Sequence, residues 1–178
     1  ELPKQASLKM NNVPVLDQGQ HGTCVTFATT GALDALHGST DYISQLCNLE
    51  LGNALSQQNP NYPSGWDGSF NKIVLGQIAE YGIINMDYQK KYGCSGLTAY
   101  PTNEASNTGA PMDVETFRSH SEAVMGNVTT RKILDPEDAF TPREDSAKVL
   151  AGVKRALANG NRVVFGVLVD TNYHNNGT

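Results

Sequence analysis

Basic residues are scarce in this chain. Its 13 Lys and Arg are outnumbered by 18 Asp and Glu, for a net charge of −5. That balance offers no basic patch of the kind nucleic-acid binding needs. Long apolar runs are also missing: none approaches the roughly 18 residues a membrane span requires, so no membrane partner is expected. Charged residues make up only 17% while hydrophobic ones reach 39%, so polarity comes from amides, hydroxyls and glycine, which argues against disorder. The four histidines are scattered and the three cysteines lack paired ligand spacing, so no metal site and no cofactor is expected. Glu1-Leu2-Pro3-Lys4 has no signal-peptide character, and any targeting or pro-segment is expected to have been removed or left out. What is present is 178 residues, enough for one domain with a core or for part of a larger one. Three cysteines permit one disulfide and one free thiol.

Periodicity predicts a helix from Cys24 to about Leu36, with Phe27, Ala28, Ala32, Leu33 and Leu36 on one face and Gly38 ending it. A second helix starts near Ser44 as N-cap and carries Leu46, Leu49 and Leu55 before the Gln57-Gln58-Asn59-Pro60 break. A third runs from about Ser69 to Tyr81 and stops at Gly82. The stretch from about Asn85 to Arg143 reads as loops with short strands, Thr129 to Leu134 among them. Asp145-Ser146 caps a further helix with Val149, Leu150, Val153, Ala156 and Leu157 on its apolar face. Asn159-Gly160-Asn161 then turns the chain into Arg162 to Asp170, where Val163 to Val169 predicts a strand buried on both faces. Helices first and strands later make the fold class α+β.

The segment Val15-Leu16-Asp17-Gln18-Gly19-Gln20-His21-Gly22-Thr23-Cys24 carries the chemistry. A glycine-containing loop delivers a cysteine to the first turn of a helix, where backbone N–H groups and the helix dipole favour a nucleophilic thiolate. Gln18, six residues earlier, can return its amide to the same spot and form with the Cys24 N–H a two-donor oxyanion hole. On these grounds alone Cys24 is equally well an inert small hydrophobe, since buried cysteines of that kind are common.

Pro14-Val15-x-x-Gln18-Gly19-x-x-Gly22-x-Cys24 resembles the nucleophile loop of the papain family of cysteine peptidases. It departs from the family signature, with His21 for the first Cys, Thr23 for Ser or Ala, and Val25 for the aromatic. Gly65-Trp66-Asp67-Gly68-Ser69-Phe70 and the following helix, ending Glu80-Tyr81-Gly82-Ile83, resemble the family's Gly-Cys-Asn-Gly-Gly block. In the family a disulfide joins these two blocks. Here both of its ends are absent together, and packing of His21 on Trp66 is expected to fill the space. Ser44-Gln45-Leu46 is similar to the family's Leu-Ser-Glu-Gln helix start, and Val163 to Asp170 to the strand before the catalytic histidine.

The resemblance implies a papain-like two-domain fold. Residues 1-110 would form mainly the helical left domain, complete with the catalytic Cys helix, and 111-178 the incomplete start of a β-rich right domain, with an approximate boundary. It implies Cys24 as nucleophile and Gln18 as oxyanion donor. Gly68 and Ser69 would bind the peptide main chain, while Phe70 walls an apolar subsite whose far side is Gly166. Asp67 is a rim residue or a turn former. A Cys47–Cys94 disulfide, near where the family makes its second one, leaves Cys24 free, the alternative being two reduced thiols. A disulfide in turn favours a secreted, periplasmic or lysosome-like compartment.

The family also needs a histidine and an orienting Asn or Asp, and no histidine here is well placed. His21 stands at the lost cysteine position, suited to packing or a subsite rim. His37 is more than three turns from Cys24, and His120 is a lone loop histidine. His174 lies 150 residues after Cys24, at the edge of the family's roughly 130–150 residue distance, but is followed by Asn175-Asn176-Gly177 instead of small apolar residues. The expectation is that the catalytic His and Asn lie beyond Thr178, on a C-terminal remainder or a companion chain. The function this implies is hydrolysis of peptide bonds, as a cysteine endopeptidase made as a zymogen, through an acyl-enzyme on Cys24. Its partners would be a peptide or protein substrate and a propeptide or protein inhibitor. The alternatives are a papain-fold binding module without peptidase activity, and a thiol transferase or deconjugating enzyme.

Overall fold

The computed structural model describes residues 2–103, 109–133 and 146–166. Six helices lie among them: α1 (Cys24–His37), α2 (Gln45–Gln58), α3 (Asn71–Tyr81), α4 (Met86–Tyr92), α5 (Val114–His120) and α6 (Ser146–Ala158). Helix α2 is the central one. Ten of its residues, from Gln45 to Leu55, are buried, and it packs against both α1 and α5 while α1 packs on α3. Ser44 caps it as expected, its hydroxyl accepting the Cys47 N–H at 2.9 Å and donating to Gln89 Oε1 at 2.7 Å. One core gathers Leu46, Leu49, Leu51, Trp66, Ile84 and Phe117 around α2. A second joins Leu33, Ile43, Val74, Ile78 and Ile83 between α1 and α3. The Cys47–Cys94 disulfide, with Cα atoms 5.0 Å apart, closes the first core, and both cysteines are fully buried.

Helix α1 buries only part of the apolar face its periodicity suggested, Leu33 fully and Phe27 and Ala32 by half. Ala28 and Leu36 are exposed, whereas Thr26, Thr29, Thr30 and Asp34 are buried. Hydroxyls can be buried because they find partners: Thr30 Oγ1 donates to the Thr26 carbonyl at 2.9 Å, and Thr29 Oγ1 to Asn71 Oδ1 at 3.3 Å. The Asp34 carboxylate accepts the backbone N–H groups of Tyr42 and Ile43 and so anchors the turn between α1 and α2. Burial pushes the Asp34 carboxyl up, and these hydrogen bonds pull it back down. Helix α1 ends at Gly38, left-handed with φ 73°, with His37 in the last turn where the dipole favours a cation.

Two helices fall inside the stretch expected to be loops. Both are only seven residues long, too short for a periodic signal, and both are started by a side-chain cap. Asn85 Oδ1 accepts the Tyr88 N–H and Asp113 Oδ2 accepts the Thr116 N–H, each at 2.9 Å.

The expected β-rich right domain, and with it the α+β class, is overturned. Residues 111–133 and 146–166 hold α5 and α6 and no strand, and the described residues contain only isolated bridges, such as Ile83 with Glu122. Val163 to Gly166 makes no ladder and is not buried on both faces, with Phe165 71% exposed; Val167 to Asp170 lies outside the described residues. The Thr129 to Leu134 strand is likewise absent over 129–133, and Leu134 lies outside. A strand is stable only where a neighbour pairs its N–H and C=O groups, and β-branched residues supply the propensity but not the neighbour. The Asn159-Gly160-Asn161 turn does form, Gly160 at φ 77° and the Asn161 N–H closing on the Ala156 carbonyl at 2.9 Å.

Candidate functional site

Asp17 begins the loop that delivers Cys24. Its Oδ1 accepts the Gly19 N–H at 2.8 Å, an Asx turn that folds the chain back on itself. Gly19 is left-handed, φ 60°, and a Cβ there would overlap the Thr102 carbonyl. That carbonyl accepts the Gln20 N–H at 3.2 Å, so the segment around Thr102 forms the back wall of the loop. The Gln18 side chain folds back on the loop, its amide Nε2 donating to the His21 carbonyl at 2.9 Å. A primary amide carries two N–H donors, so one remains for a ligand.

Cys24 is the first residue of α1, exposed and outside any disulfide. The residue before it, Thr23, is fully buried at φ −96°, ψ 9°, in the bridge region, and offers the helix no side-chain cap. Its hydroxyl lies instead 2.8 Å from the Tyr100 hydroxyl. First-turn N–H groups, that of Cys24 included, are therefore left uncapped beside the thiol.

The two sequence blocks meet. Gly22 pairs with Asp67 in a parallel bridge, and a Cβ on Gly22 would stand 2.9 Å from the Asp67 carbonyl carbon, so only glycine permits the approach. This contact sets Gly68 beside the nucleophile loop, its N 3.1 Å from where a Cβ on Gly22 would stand, and Ser69 and Phe70 follow it in the chain. Gly68 is at φ 119° with open space around it, Ser69 is half-buried, and Phe70 is 45% exposed just before α3. Gly166, the expected far wall of the subsite, is exposed with open space where a Cβ would stand, and no contact brings it to Cys24 among the described residues.

The His21 ring packs edge-on against Trp66, centroids 5.0 Å apart, and against Tyr100 at 5.9 Å. Trp66 and Tyr100 stack nearly parallel at 5.7 Å, and Phe27 meets Tyr100 edge-on at 4.9 Å. Four rings thus occupy the place where a disulfide was expected to be missing. His37 closes α1 and lies about 20 Å along the helix axis from Cys24. The His120 ring rests on Tyr88, centroids 4.8 Å apart. His174 lies outside the described residues. Among the described residues no hydrogen bond joins a histidine to Cys24.

Sequence reasoning missed Tyr100 and Glu50. Tyr100 bore only the signal of an aromatic before a proline, which favours extended backbone and names no partner. Burial raises its phenol, a rise that the Thr23 hydrogen bond opposes. Glu50, fully buried in α2, is pushed up to about 7 by burial. No helix among the described residues is long and apolar enough to cross a membrane. The sequence matches no protein-family model and no curated protein.

Proposed function

We propose that this chain carries the nucleophile of a papain-like cysteine peptidase, which hydrolyses peptide bonds through an acyl-enzyme on Cys24. The observation that carries the reading is the joint placement of an exposed Cys24 thiol at an uncapped helix start and a Gln18 amide with a donor to spare. The thiolate attacks the scissile carbonyl carbon, and the oxygen that becomes negative takes the Cys24 N–H and the second Gln18 N–H. A proton passes to the leaving amine as the C–N bond breaks, and water then hydrolyses the thioester. The histidine that moves these protons, and the asparagine that orients it, come from a remainder of the chain or a companion chain. Substrate lies extended beside Gly68 and Ser69, with Phe70 walling an apolar subsite. A propeptide or protein inhibitor would occupy the same groove. The Cys47–Cys94 disulfide favours a secreted, periplasmic or lysosome-like setting.

The test is acylation of the natural full-length protein by an activated peptide ester, read by mass on the Cys24 peptide. One acyl group per chain, lost in Cys24→Ala and released faster by water than by added amine, is the expected result. No acyl group means a binding module, and release that strongly prefers an amine means a transferase; either outcome overturns the peptidase reading.

A further inference from the structure

We infer that Tyr100 is a positioning residue whose hydroxyl sets the two halves of the oxyanion hole relative to each other. The inference rests on the peptidase reading of Cys24 and deepens it. The two donors come from different pieces of chain: Gln18 belongs to the loop, and the Cys24 N–H to the start of α1. Tyr100 Oη lies 2.9 Å from the Gln18 carbonyl oxygen and 2.8 Å from Thr23 Oγ1, the residue next to the nucleophile. A phenol has one proton and a carbonyl can only accept, so the directions follow. Tyr100 donates to Gln18, and the Thr23 hydroxyl donates to the phenol oxygen. Thr23 is thereby turned away from capping α1, which keeps the first-turn N–H groups open to a developing anion.

The hydroxyl is held in place from several sides. The ring is stacked on Trp66 and met edge-on by Phe27 and His21. Two residues on, the Thr102 carbonyl takes the Gln20 N–H, so residues 100–102 grip the loop at Gln18, Gln20 and Thr23. Because burial raises the phenol above its ordinary value, it remains a neutral donor across the working range of pH. Tyr100 touches neither the substrate nor the reacting sulfur in this scheme. It acts through the placement of groups that do.

The reaction itself offers a discriminating readout. Attack on a peptide carbonyl creates an oxyanion, whereas alkylation by iodoacetamide forms a C–S bond as the C–I bond breaks and iodide leaves with the electron pair. Only the first uses the oxyanion hole. In the full-length protein, Tyr100→Phe keeps the ring packing and removes the hydroxyl. It should lower kcat for a peptide substrate by about 10- to 100-fold with KM within about twofold. The rate of Cys24 alkylation should stay within about twofold of wild type. Thr23→Val, which removes the other partner at nearly constant shape, should show the same split. Adding Gln18→Ala to Tyr100→Phe should lose less than the product of the two single effects, because both act on one device.

Unchanged hydrolysis in Tyr100→Phe and Thr23→Val overturns the inference while leaving the peptidase reading intact. Alkylation falling in step with hydrolysis in both variants also overturns it, since that marks a structural role. A wild-type protein that forms no acyl-enzyme sinks the peptidase reading, and the role of Tyr100 with it.

Discussion

Replacing Glu50 by glutamine should make the protein more stable at pH 8 and change little at pH 5. Glu50 sits in α2 with no exposed surface. Its Oε2 accepts the Asn53 amide at 2.7 Å, while Oε1 and the nearby Trp66 indole N–H are buried without hydrogen-bond partners. Gly109 packs so closely on Oε1 that a Cβ there would lie 2.5 Å from it. Desolvation therefore dominates, lifting the carboxyl from its ordinary 4.5 to about 7, against a smaller opposing effect of the Asn53 hydrogen bond. The folded state thus holds its proton more tightly than the unfolded one. Stability attached to that proton is complete below pH 4.5, declines as pH rises between 4.5 and about 7, and is gone above that window. The window spans roughly 2.5 pH units at about 1.36 kcal/mol each, so ionised Glu50 costs about 3 kcal/mol at pH 8 and less than about 1 at pH 5. Glutamine has the shape of the protonated acid and no charge to desolvate. Urea unfolding of both proteins at pH 5 and pH 8, under non-reducing conditions, measures the difference directly. The gap between Glu50→Gln and wild type should widen by about 2–3 kcal/mol in favour of the variant on going from pH 5 to pH 8. Parallel pH profiles, or a variant that loses ground at pH 8, would refute the desolvation argument and mean that the carboxylate is satisfied where it lies.

Two further substitutions probe the frame of the site. Gly19→Ala places a Cβ at a left-handed position against the Thr102 carbonyl, so it should destabilise the protein by about 1–3 kcal/mol and slow acylation of Cys24. Thermal unfolding and the ester-acylation assay read the two effects, and an alanine variant with wild-type values in both would show that the loop shifts freely. Removing the Cys47–Cys94 bond by a double alanine substitution releases a chain separation of 47 residues and should cost about 2–4 kcal/mol in urea unfolding. The same loss should appear on reducing the wild type, and a midpoint insensitive to reductant would count against the bond.

The residues that make the site legible in sequence are local. Gln18, Gly19, Gly22 and Cys24 lie within one loop and one helix start, and spacing along a chain directly constrains groups that close together. Ser44 as a cap, the Asn159-Gly160-Asn161 turn and the extent of α1, α2 and α6 belong to the same local physics, because propensity and caps act within a few residues. The buried threonine face of α1 was not legible. Which face of a helix is covered depends on what packs against it, and here Asn71 and the backbone of Tyr42 and Ile43 satisfy its polar groups from elsewhere in the chain. The strand expected at Val163 failed for a related reason: propensity is written into the residue, but pairing belongs to a second segment.

The sequence by itself holds no apolar run long enough for a membrane-spanning helix, and the local pattern of the 14–24 segment determined a cysteine at a helix start with a glutamine six residues before it. Tertiary structure alone decided that Tyr100, 82 residues from Gln18 and 77 from Thr23, ties the two together, and that Glu50 is buried with an unpartnered oxygen. Hydrogen bonds and desolvation depend on distance in space, and a chain brings residues that far apart together only once its cores have formed.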